Sequence, residues 1–482
     1  MKQMLRPLCF RKGWINKMEN LKLKAFENNV RGKRVAVIGL GVSNIPLIDY
    51  LHDLGANVEV FDQRDVEDLD HDVVEKINSY NFKLVTGKNA LHFLRGFNII
   101  FRSPSCLPTT LQLVSEHKRG AVVTSEIEML MNTCPCKVIG ITGSDGKTTT
   151  TSLIYEILKK GGYNCHLGGN IGIPLFTQVK DFKEDDIVIL ELSSFQLMDM
   201  EISPDISVIT NVSPNHLDKH KSYEEYIDAK KAIFAFQDKD GKVVLNYDND
   251  ITREMAKEAE GKVVFFSSKQ KLDDGVIYED GMIKECEDGV RRHLINTKDI
   301  HLRGVHNYEN VCAAIAATSG LVSEEVQIEA IKGFKGVEHR LEFVRELDGV
   351  KWYNDSIGTS PSRTIAGINS FDEKIVLIAG GYDKNLDYMP LAEALPNKVS
   401  KVILMGDTGP KIANAILQAT KGLDFMIPMY KEYNIEKSVK RARKIAEPGE
   451  IVLFSPASAS FDMFKNFAER GEKFKELVNE LE

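Results

Sequence analysis

KVIGITGSDGKTTTTSLIYEILKK, residues 137–160, runs from an apolar stretch through a glycine-rich turn into a helix-forming segment. The β-branched start reads as a buried strand, and the Leu-, Ile- and Lys-rich end reads as a helix. A turn of this composition lets several backbone N–H groups converge on one anion, and the following helix N-terminus adds partial positive charge. Lys147 then reaches the β- and γ-phosphates of a bound nucleotide, and the Thr148 hydroxyl is placed for Mg²⁺. Gly143, Ser144, Asp145, Gly146, Lys147, Thr148 and Thr149 are therefore the candidate ATP contacts. The spacing is unusual: the common pattern puts its first glycine five residues before the glycine of GK. Here Gly140 lies six before Gly146, and Gly143 three before.

The same alternation of strand, turn and helix extends both ways. RVAVIGLG (34–41), NVEVFD (57–62), NIIFRSP (98–104) and AVVTS (121–125) form one α/β unit. A second holds DDIVILELS (185–193), ISVITNVS (206–213), KVVLNYD (242–248) and KVVFFSS (262–268). The polar stretch 269–296 follows with short antiparallel strands, then a helix near 307–318. A third holds WYNDS (352–356), KIVLIAGG (374–381), KVILMGD (401–407) and EIVLFSP (450–456), after a hinge near 333–336. Strands this apolar imply mainly parallel sheets covered on both faces, with ligands at their carboxyl ends. The expected architecture is α/β in three domains: Rossmann-like at 18–133, a P-loop ATPase at 134–335 and Rossmann-like again at 336–482. Residues 1–17, ahead of Met18, read as a basic N-terminal extension.

Composition narrows the function. The chain has 482 residues, 43% hydrophobic and 27% charged, with Lys plus Arg 62 against Asp plus Glu 70, a net charge of −8. This excludes disordered, collagenous and disulfide-scaffold classes. No apolar run is long enough for a membrane span, and the acidic balance gives no reason to expect a nucleic-acid partner. The seven cysteines are sparse. Cys134-Pro135-Cys136 is the one close pair, without the second pair that a zinc site needs. A cytoplasmic, monomeric protein with reduced thiols is expected.

Other groups could serve the phosphate loop. Glu191 ends the apolar strand before Ser193, Ser194 and Gln196, where a carboxylate can hold Mg²⁺. His216 follows the next strand. Read alone, each is equally well a helix cap or a loop histidine satisfied by backbone. Lys230 and Lys231 lie on a helix in YIDAKKAIF (226–234), where a solvated lysine is the default. In the first unit GLGVSN (39–44) carries Asn44 where a dinucleotide fingerprint has its third glycine. Asp62 ends the second strand, where a ribose-binding acid would sit. This turn points to a phosphate or nucleotide moiety more than to a nicotinamide cofactor.

Taken in order, these segments resemble the muramyl peptide ligase family from about Met18 to Glu482. GITGSDGKTTTT (140–151) resembles its ATP loop. GGNIGIP (168–174), ELSSFQL (191–197), NVSPNHLD (211–218), YIDAKKAIF, GVHNYENVCAA (304–314), GVEHRLE (336–342) and YNDS (353–356) follow. AGGYDKNLDY (379–388) and SPASASFDMFKNFAERG (455–471) resemble the member that adds D-glutamate. The resemblance implies ATP- and Mg²⁺-dependent amide synthesis: the carboxylate of UDP-N-acetylmuramoyl-L-alanine is phosphorylated, and D-glutamate attacks the acyl phosphate, in peptidoglycan precursor synthesis.

The resemblance also implies roles. Lys147, His216 and Lys230 would be catalytic. Thr148, Glu191, His216 and Lys230, the last as a carbamate, would hold Mg²⁺, with Lys231 the fallback for the carbamate. Asn307, Asn310, Arg340 and Asp355 would contact adenine, phosphate and ribose. Val42, Ser43, Asn44, Asp62, Gln63 and Arg64 would hold uracil and pyrophosphate, and Asn170, Ser193 and Gln196 the muramoyl part. Thr359, Lys384, Ser460, Phe461 and Phe467 would receive D-glutamate. Two positions depart from the family pattern: Ile357 stands where lysine is frequent, and Ser105 where glycine is common.

Three other functions compete: a related amide ligase of the folylpolyglutamate synthase type, a P-loop regulatory ATPase, and a nicotinamide dehydrogenase resting on GLGVSN alone. The first would not need a UDP-binding unit. The second would not need SPASASFDMFKNF.

Overall fold

A computed structural model describes residues 20–215, 219–384, 386–422 and 426–482. Its strands form three sheets. The first holds β1 (Arg34–Ile38), β2 (Asn57–Phe61), β3 (Lys83–Val85), β4 (Ile99–Arg102) and β5 (Val122–Thr124), in the order β3-β2-β1-β4-β5. All its pairings are parallel. The order reverses between β1 and β4, so the turn after β1 opens into a crevice at the strands' carboxyl ends.

The second sheet has nine strands. These are β6 (Lys137–Thr142), β7 (Cys165–Gly169), β8 (Ile187–Glu191), β9 (Ile206–Ile209), β10 (Lys242–Asn246), β11 (Lys262–Ser267), β12 (Gly275–Glu279), β13 (Met282–Glu287) and β14 (Val290–Asn296). The order is β14-β13-β12-β11-β10-β9-β6-β8-β7. It is parallel from β7 to β12, and the two last pairings are antiparallel, as the polar 269–296 stretch suggests. Two central strands carry unbroken apolar runs because both faces are covered: Ile187–Leu190 and Val243–Leu245 are at most 2% exposed.

One apolar cluster runs through the first two sheets. Phe26 packs edge-on to Phe101 and Phe176, and Tyr50 meets Phe176 the same way. The described residues of 20–297 and 309–331 accordingly form one compact unit.

The second compact unit, 298–308 with 332–482, holds the third sheet. Its strands are β15 (Glu342–Leu347), β16 (Val350–Asn354), β17 (Ile375–Ala379), β18 (Val399–Leu404), β19 (Met429–Lys431) and β20 (Ile451–Phe454). The order is β15-β16-β20-β17-β18-β19, parallel except for the β15–β16 hairpin. The short edge strands β3, β7, β15 and β19 were not expected from sequence. A single hydrogen-bonded neighbour suffices to order each, and each lacks the long apolar run that marks a central strand.

Arg470 is the polar bolt of this unit. Its side chain is fully buried on the helix Phe467–Asn479. Nε donates to Ser356 Oγ at 3.1 Å, Nη1 to Ser458 and Ala459 carbonyls at 3.1 and 2.9 Å, and Nη2 to the Ser356 carbonyl at 2.8 Å. Burial lowers its pKa to about 10, which leaves it charged at neutral pH. Replacing it with methionine leaves several buried acceptors without a donor. Arg470→Met is expected to lose about 2–4 kcal/mol of stability. The measurement is urea unfolding: a lower midpoint at unchanged slope is expected, and an unchanged midpoint would contradict the assignment.

Candidate active site

The carboxyl ends of β8, β6 and β9 are adjacent, and each delivers one part of the site. After β6 the chain turns at Gly143, φ 146°, where a Cβ would lie 1.9 Å from Thr210 Oγ1, so only glycine fits. The turn is tied to the end of β9: Ser144 N donates to Asn211 O at 2.9 Å, Thr210 Oγ1 to Asp145 O at 2.5 Å, and Asp145 N to Asn211 Oδ1 at 3.0 Å. Gly146, φ 81°, starts the helix Lys147–Lys160, and a Cβ there would meet Asn310 Oδ1 at 2.3 Å. Asn310 in turn accepts from Thr150 Oγ1 at 3.2 Å. The irregular glycine spacing thus still builds an anion cradle, because Gly143 takes the place of the earlier glycine. Lys147 folds back over it, Nζ donating to Gly143 and Ser144 carbonyls at 3.0 and 2.9 Å. Thr148 and Thr149 occupy the first helical turn.

The helix Tyr223–Lys231 faces this cradle with Tyr226 and Lys230, four residues apart on one face. Tyr226 OH and Ser144 Oγ are 2.9 Å apart. Lys230 is 1% exposed, and its Nζ donates to Gly143 O at 2.8 Å and lies 4.6 Å from the Tyr226 ring centre. Burial, helped by the nearby Lys147 charge, pushes its pKa down to about 7. Lys231 points elsewhere and pairs with Glu258, so Lys230 is the lysine at the loop.

Glu191, at the end of β8, is 1% exposed. Oε1 accepts from Asn170 Nδ2 at 2.8 Å, whereas the buried Oε2 has no hydrogen-bond partner among the described residues. An anionic oxygen left so at the cradle fits a divalent cation, which removes the cost of burying it. His216 lies outside the described residues.

Ser193 and Gln196 cap the short helix Ser194–Leu197 reciprocally: Ser193 N donates to Gln196 Oε1 at 2.9 Å, and Gln196 N to Ser193 Oγ at 3.3 Å. Their first role is therefore to fix the turn after Glu191.

In the first sheet a cleft of about 590 Å³ opens at the reversal point, lined by Val42, Ser43, Asn44, Asp62, Gln63 and Arg64 among others. Asn44 is buried and spends Nδ2 on the Ile38 and Gly39 carbonyls, at 3.0 and 2.9 Å. Asp62 accepts from Leu40 N at 2.8 Å and from Arg64 N and Nε, both at 2.9 Å. Burial opposes its ionisation, but these donors hold the carboxyl below its ordinary range. Asp62 thus shapes the glycine turn while Val42 and Gln63 stand exposed in the opening. Ser105 at the departing position bonds Ser103 Oγ at 2.9 Å.

In the second unit, Asn307 Nδ2 donates to Arg303 O at 2.7 Å. Arg340 sits in a turn closed by its N–H on Val337 O at 3.0 Å. Asp355 is buried, accepting from Ser455 Oγ at 2.6 Å and Leu341 N at 3.3 Å, and burial raises its pKa to about 6. Ile357 N donates to His339 O at 3.1 Å. Lys384 Nζ lies 5.4 Å from the exposed Phe461 ring. Ser460 is buried in the next turn, Thr359 follows the Asp355 turn, and the Phe467 carbonyl accepts from Ser356 Oγ at 2.7 Å.

Several positioning groups escaped the sequence reading. Arg102 is buried and donates to Phe195 and Met198 carbonyls at 3.2 and 2.5 Å, joining β4 to the turn after β8. His220 Nε2 is 2.9 Å from Ser194 Oγ, with Glu225 3.5 Å from Nδ1. Glu126 accepts from Leu175 and Phe176 N–H at 3.2 and 2.9 Å, pinning the end of the segment that carries Asn170. Tyr226 alone had a signal, its helical spacing from Lys230.

Comparisons with known proteins place the chain in a family. Three family models match: Mur ligase MurD-like, N-terminal domain over 33–125, Mur ligase middle domain over 141–318, and Mur ligase, glutamate ligase domain over 339–458. The chain is 48% identical over 467 residues to the UDP-N-acetylmuramoylalanine--D-glutamate ligase of Acetivibrio thermocellus, covering 96% of this chain and 100% of that one. It is 47% identical to the Clostridium acetobutylicum enzyme of the same name, covering 95% and 98%. Among solved structures, UDP-N-acetylmuramate-alanine ligase from Thermotoga maritima matches with TM-score 0.55 at 18% identity, covering 93% of this chain and 99% of that one. A MurF ligase from Thermotoga maritima in complex with ADP matches with TM-score 0.53 at 20% identity, covering 94% and 95%.

Burial raises the Glu126 pKa to about 7, against the pull of its two amide donors. The folded protein therefore holds a proton between about pH 4.5 and 7 that the unfolded chain has released, so this group's contribution to stability falls as pH rises through that window. Relative to Glu126→Gln, the wild type should lose up to about 3 kcal/mol between pH 5 and pH 8. Chemical denaturation of both proteins at the two pH values measures it, and parallel pH profiles would refute it.

With matching segments along its length and near-half identity to full-length relatives, this chain belongs to the Mur ligase family.

Proposed function

We propose that the chain is an ATP-dependent ligase that joins D-glutamate to UDP-N-acetylmuramoyl-L-alanine through an acyl phosphate, in peptidoglycan precursor synthesis. The observation that carries this is the 48% identity across essentially the whole of a D-glutamate ligase. The cradle between β6, β8 and β9 supplies the chemistry that such a ligase needs.

The three sheets support a division of labour: residues 18–133 for the UDP-sugar, 134–335 for ATP and 336–482 for the amino acid. The substrate carboxylate attacks the γ-phosphorus and ADP leaves. The D-glutamate amine, having lost its ammonium proton, then attacks the acyl carbon, and phosphate leaves as the amide forms. A carboxylate is a poor electrophile, and phosphorylation gives it a leaving group. The protein's part is positioning and charge neutralisation. Loop amides from Gly143 to Thr149 hold the phosphates, and Lys147 neutralises the transferring group. Asn307, Asn310, Arg340 and Asp355 serve the nucleoside side. Asp62 and Arg64 order the turn that receives the UDP pyrophosphate, with Val42, Ser43, Asn44 and Gln63 at the uracil. Asn170, Ser193 and Gln196 face the muramoyl portion. Lys384 pairs with a D-glutamate carboxylate, with Ser460, Thr359, Phe461 and Phe467 around it.

Thr148, Glu191, His216 and a carbamate on Lys230 would hold Mg²⁺. When bound, the ion neutralises phosphate charge. Two features of the site support the carbamate. Only an unprotonated amine adds CO₂, releasing one proton, and a Lys230 pKa near 7 leaves the neutral amine populated. The product is an anion, which suits the cation better than a buried ammonium.

Among the described residues no helix is long and apolar enough to cross a membrane. A cytoplasmic monomer acting on small-molecule substrates, without nucleic acid, completes the reading.

Phosphate release with ATP, Mg²⁺, UDP-N-acetylmuramoyl-L-alanine and one amino acid at a time tests the function. D-glutamate should be preferred by about two orders of magnitude or more over L-glutamate, since buried polar contacts discriminate steeply. Preference for an L-amino acid would end the proposal. For the carbamate, Lys230→Ala should lower kcat about a hundredfold or more, and excess bicarbonate should not restore it. Near-normal turnover would exclude the role.

A further inference from the structure

Two thiols lie outside this reaction. Cys134 caps the helix Glu126–Thr133, and Cys136 immediately precedes β6, the strand that leads into the phosphate loop. Proline disfavours a helical conformation in the residue before it, and Cys134 is extended accordingly, φ −61° and ψ 127°. In extended backbone residues i and i+2 project to the same side. The two Sγ atoms meet at 3.3 Å, and each residue is 9% exposed.

The contact makes the sulfurs unequal. A hydrogen bond from the Cys136 thiol holds Cys134 below the ordinary thiol range, and the same bond, with burial, raises Cys136. Cys134 is therefore the more readily ionised sulfur, and Cys136 stands in contact with it as a resolving thiol. The arrangement of a thiolate with a second thiol in contact is what a reversible oxidation site requires.

We propose that Cys134 and Cys136 form an oxidation site for hydrogen peroxide, converted by it to a reversible intrachain disulfide. The Cys134 thiolate attacks one peroxide oxygen, the O–O bond breaks, and with one proton the products are a Cys134 sulfenic acid and water. Cys136 sulfur then attacks Cys134 Sγ, the S–O bond breaks, and the second water leaves with the Cys136 proton. The two thiols together lose two electrons and two hydrogens, and one peroxide is reduced to two waters. Closure needs the sulfurs to approach from 3.3 Å to about 2 Å, a shift that the loop between helix and strand must absorb. An external dithiol reverses it by exchange.

The full-length protein, treated with hydrogen peroxide, alkylated and digested with trypsin, tests this. Residues 120–137 form one tryptic peptide holding both cysteines and no other. The expected product is that peptide two hydrogens lighter, with neither cysteine alkylated and both restored by dithiothreitol. It should form at least about tenfold faster than the more exposed Cys165 is consumed. In Cys136→Ser, Cys134 should stop at the sulfenic acid and be captured by dimedone. Both cysteines remaining alkylatable after Cys165 has reacted would overturn the proposal. So would cysteine oxygen gain in the wild type without a disulfide stage.

Discussion

A lysine 1% exposed, its Nζ 2.8 Å from the Gly143 carbonyl, is the constraint around which the central site is organised. Burying a charge is tolerated only where neighbouring groups replace water. Here they are a carbonyl of the phosphate loop and the face of Tyr226, which is itself bonded to Ser144. The loop must therefore pass close to the helix Tyr223–Lys231, and it does so because Gly143 has no side chain to strike Thr210. Loop, helix and the ends of β6 and β9 specify one another's positions. At the end of β8, Glu191 carries another such feature, a buried carboxylate oxygen without a partner among the described residues. Two polar groups desolvated before any ligand binds make a preorganised setting for phosphate charge.

The first sheet solves a similar problem with another device. No lysine holds its glycine turn. Asp62 reaches back from the end of β2 to the Leu40 amide, and Arg64 closes over both Asp62 and the Leu40 carbonyl. Asp62 is buried and Arg64 half exposed, so the donors around the carboxyl offset its desolvation while the cleft mouth stays free. In the second unit Arg470 does comparable work with three carbonyls and one hydroxyl as acceptors, tying the Ser356 turn to Ser458 and Ala459 just before Ser460.

Legibility differed by kind of feature. The central strands could be read because a strand covered on both faces is apolar along its whole length, as in Ile187–Leu190. The edge strands could not, because β19 and β3 have only three residues each and no continuous apolar run. The phosphate loop was legible as composition, though which glycine does the work was not. Lys230 and Lys231 were indistinguishable as neighbours on one helix. Ser193 and Gln196 were expected as ligand contacts, and the fold shows them capping each other's helix first. Glu126, Arg102 and His220 had no local signal, since each acts on a backbone or side chain far away in sequence.

What the sequence by itself determined is what depends on near neighbours along the chain. The alternation of strands and helices, the glycine-rich cradle, the shared face of Tyr226 and Lys230, and the juxtaposition of Cys134 and Cys136 across Pro135 all follow from local backbone geometry. What only the tertiary structure decided depends on burial and on partners contributed by other segments. It set Lys230 and not Lys231 at the loop, left one oxygen of Glu191 unpartnered among the described residues, turned Asp62 into a brace for the turn after β1, and packed the first two sheets around Phe26, Phe101 and Phe176 as one unit. Desolvation and long-range hydrogen bonds are set by which surfaces meet, and that is fixed only when the sheets have assembled.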